Sequence, residues 1–96
     1  MSWATHAIAE LKAGREVTIH PRGPSMRGRV ESGQTCRIAP APAEIEIGAV
    51  VLCKVKGKQY LHLVKARQGN RYLIGNNVGG INGWIGRNGI FGVLIE

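Results

Sequence analysis

Beyond Gly14 the apolar residues of this chain arrive in short runs, each closed by glycine, proline or asparagine. Val17 and Ile19 alternate with Thr18 and His20 before Pro21 ends the run. Gln34–Ile38, Val50–Val55, Gln59–Arg67, Arg71–Ile74 and Ile90–Ile95 read as further strands. Lys56-Gly57-Lys58 reads as a hairpin tip and Gln68-Gly69-Asn70 as a second tight turn. Pro40-Ala41-Pro42 is a stiff connector. Asn76–Gly89, where Gly and Asn recur around Val78, Ile81, Trp84 and Ile85, reads as a long loop. There is no internal repeat. Short strands at turn-bounded intervals imply a mainly β domain with a coiled, partly closed antiparallel sheet.

The first residues follow a different period. Ser2 can cap a helix from about Trp3 to Ala13, with Trp3, Ala7, Ile8 and Leu11 at helical spacing and Gly14 as its stop. Residues 1–14 are therefore expected to form one short N-terminal helix and 15–96 the β domain it packs on. A chain of 96 residues supports one modest core, so 1–96 is expected to be a single domain.

Composition narrows the chemistry. All six acids are glutamates, set against thirteen Lys and Arg, for a net charge of +7. Without aspartate, an Asp-dependent triad and an EF-hand loop are excluded, as are most carboxylate-rich Mg²⁺ sites. No cofactor or metal is implied. Cys36 and Cys53 lack C-x-x-C spacing and sit in strand-like runs, so they read as buried reduced thiols. No apolar run has the length of a signal peptide or a membrane span, which leads to the expectation of a soluble, cytoplasmic domain.

Two segments carry reactive groups. Gly23-Pro24-Ser25-Met26 follows a strand-like run and is itself followed by Gly33. Later, Tyr60-Leu61-His62-Leu63-Val64-Lys65 offers two candidate bases for the Ser25 hydroxyl. A serine is a poor nucleophile until a base takes its proton. An imidazole with pKa near ~6.5 is largely unprotonated at neutral pH, whereas Lys65 would first have to lose several pKa units through burial. The two bases are expected on opposite faces of one strand, so only one can meet Ser25, and His62 is the preferred one.

These segments resemble the clan that joins type I signal peptidases with the self-cleaving domains of LexA-type repressors. Gly23, Ser25, Met26, Val30 and Gly33 match its nucleophile box, and Ile47-Gly48-Ala49-Val50-Val51 is similar to the strand box that follows. Leu61-His62-Leu63-Val64 resembles the base box of the Ser/His signal peptidases, and Leu73-Ile74-Gly75-Asn76-Asn77 their last box. The likeness spans roughly residues 15 to 95. It implies the LexA-type/signal-peptidase catalytic fold and cleavage of an extended peptide by a Ser25/His62 dyad, with Lys65 as the alternative base. It further implies substrate contact at Met26, small residues at the cleavage point, and oxyanion donors at the Ser25 amide and on the Gly23 side. Asn76 stands where the Ser/His branch keeps an acid, and is the expected orienting residue for the histidine. Arg27 stands where signal peptidases usually carry proline. Repressor-type relatives cut themselves at an Ala-Gly bond, but a helix stop explains Ala13-Gly14 better.

Other classes of function stay open. A peptidase-like fold without activity could serve as an interaction module for a peptide or protein partner, and a homodimer is compatible with either reading. Trp84 and its loop offer a contact surface. Arg22, Arg27, Arg29 and Arg37, with Lys54, Lys56 and Lys58, could attract nucleic acid. That reading is not favoured, because aromatic stacking platforms are few.

Overall fold

The computed structural model describes residues 4–24 and 26–95. Helix α1 (Thr5–Lys12) is followed by β1 (Val17–Ile19), β2 (Cys36–Pro40), β3 (Val50–Val55), β4 (Lys58–Gln68), β5 (Arg71–Gly75), β6 (Ile81–Gly86) and β7 (Ile90–Leu94). A 3-10 turn, Arg87–Gly89, separates the last two strands. All pairings are antiparallel, in one seven-stranded sheet of order β1-β2-β7-β3-β4-β5-β6.

α1 buries Ala7, Ile8 and Leu11, the stripe its spacing called for. Gly14 ends it: at φ +87 its N–H reaches Leu11 O at 3.0 Å, while Arg15 N–H reaches Glu10 O at 3.0 Å. Those two bonds form a Schellman motif, which satisfies carbonyls at the helix end. The expected cap Ser2 and stripe residue Trp3 lie outside the described residues.

Strand alternation divides the core between the two faces of the sheet. Val50 and Leu52 of β3 join Leu61 and Leu63 of β4, Ile38 of β2 and the helix on one face. Val51, Cys53 and Val55 join Val64, Tyr72, Ile74, Ile45 and Ile90 on the other. β3 is thus buried on both sides, which is why it reads as a nearly unbroken apolar run. The β3–β4 hairpin turns at Lys56 and Gly57, both at positive φ, as a two-residue turn of the primed kind requires.

The sheet coils. β6 returns to β3, where a Cβ built on Gly83 would lie 3.8 Å from Val55 Cγ1. This is the mainly β, curled antiparallel architecture expected, with one short helix. The segment Asn76–Gly89 departs from expectation, because it is not one long loop. β6 and the 3-10 turn occupy most of it, held by pairing with β5 rather than by the weak strand propensity of Asn82, Gly83 and Gly86. β2 also starts later than expected, at Cys36, and ends on Pro40 beyond the residues that β1 pairs.

Candidate functional site

The residues between β1 and β2 fold back on themselves. Gly33 N–H donates to Pro21 O at 2.7 Å, Val30 N–H to Met26 O at 2.7 Å, and Gly28 N–H to the Glu31 carboxylate at 2.9 Å. Met26 and Val30 are driven into the helix-side core, which anchors the loop from below. Ser25 lies outside the described residues, but Gly23 and Met26 on either side of it are described.

A cavity of about 400 Å³ opens between this loop and β4. Gly23, Met26, Val30 and Glu31 line one wall, and Gln59, Tyr60, Leu61 and His62 the other. The segment that carries Ser25 and the strand that carries His62 therefore face a common space. Lys65, the alternative base, is not among the lining residues. It is the extra residue of a β-bulge, since Val64 pairs with Ile74 and Ala66 with Leu73, and its stem crosses Gly75. Met26, expected to touch substrate, both lines the cavity and is 4% exposed, so most of its side chain serves the core.

His62 is the one buried polar side chain among the described residues, 6% exposed. Its ring stacks on Tyr60 with centroids 4.7 Å apart. Nδ1 donates to the Asn82 amide oxygen at 2.6 Å. Burial pushes the ring's pKa below its ordinary 6.5, and the bond to Asn82 opposes that shift only in part. The imidazole is therefore neutral at pH 7, the state a general base needs.

Asn76 does not occupy the place foreseen for it. Its Oδ1 accepts from Gly80 N–H at 2.7 Å and Val78 N–H at 3.0 Å, closing its own turn. Asn82, in a stretch read as loop, holds His62 instead. No local pattern marks it, because Asn82 has no partner in the β5–β6 register, where Ile74 pairs with Gly83 and Gly75 with Ile81. The Gly23 N–H donates to Ser32 Oγ at 3.1 Å, so that amide is committed within the loop.

β5 pairs with β4 only from Leu63 to Gln68, so Lys58–His62 has β3 as its one strand neighbour among the described residues. Gln59–His62 of this stretch line the cavity. Of the arginines near the Ser25 segment, Arg37 pairs with Glu16 at 2.8 Å and Arg29 donates to Gly48 O at 3.0 Å. Cys36 and Cys53 are free, buried thiols on opposite faces of the sheet. Among the described residues no group of His, Cys and Glu is arranged to hold a metal, and no helix is long and apolar enough to cross a membrane. In comparisons with family models, curated proteins and solved structures, nothing matches this chain.

Proposed function

We propose that this domain is a serine peptidase of the signal-peptidase and LexA-type kind, with Ser25 as nucleophile and His62 as general base. The observation that carries the reading is the shared cavity: the residues flanking Ser25 and the neutral, buried His62 line its two walls. The curled antiparallel sheet supports the same clan. In the reaction, Ser25 Oγ attacks a peptide carbonyl as His62 accepts its proton. His62 passes that proton to the leaving amine, and water activated by His62 then releases the acyl group and restores the Ser25 hydroxyl. With the Gly23 amide engaged by Ser32, the Ser25 amide is the oxyanion donor in this reading. The substrate lies extended in the cavity beside Gln59–His62 of β4.

A fluorophosphonate probe tests the dyad without knowledge of the peptide. Ser25 Oγ bonds to phosphorus, fluoride leaves, and the hydroxyl proton passes to His62. The expected result is one adduct, mapped to Ser25 by mass spectrometry. Ser25→Ala should abolish it, and His62→Ala should slow it by the ~10²–10⁴-fold that a positioned base contributes. Folded wild-type protein that takes no adduct at Ser25 overturns the proposal.

A second reading, a peptidase-like interaction module, draws on Val78 (54% exposed), Ile81 (60%) and Trp84 (41%), apolar residues on and beside the edge strand β6. It predicts a folded protein that neither labels nor cleaves, and loses partner binding on Trp84→Ala.

A further inference from the structure

Asn82 reaches His62 by a specific device. Ile74 pairs with Gly83 and Gly75 with Ile81, so Asn82 is the extra residue of a bulge in β6. A bulge re-aims a side chain that regular alternation would have sent elsewhere. On the other side, Gly75 pairs with Leu63, so β5 ends one residue short of His62. The Asn82 side chain reaches from β6 past β5 to β4 and meets Nδ1 at 2.6 Å. Gly83, next to the bulge, sits at φ +140, where a side chain would be strained.

We infer that Asn82 is the positioning residue of this site: its amide oxygen pins the imidazole proton on Nδ1 and so keeps the lone pair on Nε2. An amide oxygen can only accept, and in a neutral imidazole one nitrogen carries the proton while the other accepts. Asn82 thus does the orienting work of a carboxylate without its charge. It fixes the tautomer but gives the imidazolium only a neutral hydrogen bond, too little to offset burial, so His62 stays a weak base that works down to mildly acid pH. The titratable or charged groups around the ring are Tyr60 stacked on it, Cys53 on the same face of β3, and His20, Arg22 and Glu31 about the cavity, with Lys65 farther along β4 and Lys56 beside Gly83. None is a carboxylate hydrogen-bonded to Nδ1. The catalytic meaning of this assignment rests on the hydrolase reading; the tautomer itself does not.

The test joins ¹⁵N NMR of the His62 ring with the pH profile of fluorophosphonate labelling. Wild type should show the proton on Nδ1, and labelling should fall only as pH drops below the ordinary histidine range. Asn82→Asp, nearly isosteric, should raise the His62 titration midpoint and move the acid limb of labelling to higher pH by the same amount. Asn82→Ala and Gly83→Ala should each give a mixture of tautomers and label about tenfold more slowly or worse. A wild-type ring protonated on Nε2, or one whose tautomer and midpoint are unchanged in both Asn82 variants, overturns the inference. If wild type shows the fixed tautomer yet takes no adduct at Ser25, the lock is established and the hydrolase reading fails.

Discussion

Asn77 Nδ2 donates to the carbonyl of Arg27 at 2.8 Å, tying the β5–β6 connection to the loop that carries Ser25. The bond joins segments far apart in sequence, and Arg27 directly follows Met26, which lines the cavity. Asn77→Ala should cost about 1 kcal/mol, the usual worth of one such bond. The loss should be uneven. Amide exchange in the Arg22–Gly33 segment should accelerate more than in β3 or β4, because the core contacts of Met26 and Val30 remain. Uniform exchange rates across the two regions would show that the tie does not hold the loop.

His62 makes stability depend on pH in a defined direction. Its folded pKa lies below the ordinary 6.5, with burial as the main cause. Between those two values the unfolded chain binds more protons than the folded one, so folding weakens as pH falls. The contribution is complete above the unfolded pKa and shrinks as pH drops from there towards the lower, folded value. Urea midpoints for wild type and His62→Gln, taken between about pH 7.5 and about pH 5, should converge on acidification. Parallel curves would mean that the buried ring does not resist protonation.

Much of the architecture was legible because local signals and tertiary packing agree. Val50–Val55 reads as a strand from its composition, and Lys56-Gly57 can scarcely be anything but a hairpin turn. The Leu11, Gly14 and Arg15 region shows the helix end in the same way. β6 was hidden for the opposite reason. Ile81-Asn82-Gly83-Trp84-Ile85-Gly86 looks like loop, and only its pairing with β5 makes it a strand. That error removed Asn82 from view as well. A bond from His62 to a bulge residue depends on where β5 ends and how the sheet coils, and neither is written near either residue. The motif likeness places the orienting group at Asn76, but its oxygen serves its own turn.

The two thiols should be chemically silent in the folded protein. Cys53 is fully buried and its pKa is pushed up to about 12, while burial also raises that of Cys36. A thiolate is the reactive species, and neither group supplies one near neutrality. Ellman's reagent at about pH 8 should find almost no thiol in native protein and both thiols once denaturant is added. Rapid reaction of either cysteine under native conditions would contradict the burial of its strand.

At Gly92 of β7, side chains or backbone of the helix and β2 crowd the strand. A Cβ built there would lie 2.6 Å from Ile38 Cγ2, 2.7 Å from Ala39 O and 2.8 Å from Leu11 Cδ1. The carbonyl belongs to the paired backbone of β2 and cannot swing aside as a flexible side chain could. Gly92→Ala should therefore destabilise by about 1–3 kcal/mol, the usual cost of overpacking a filled core. The strain falls on α1 and the β2–β7 pair, away from the cavity. The variant should unfold at lower urea yet, at temperatures where it stays folded, keep the His62–Asn82 bond and the wild-type imidazole tautomer. A wild-type urea midpoint would show that the helix can retreat from the sheet at no cost, and that its packing on Gly92 adds little to the fold.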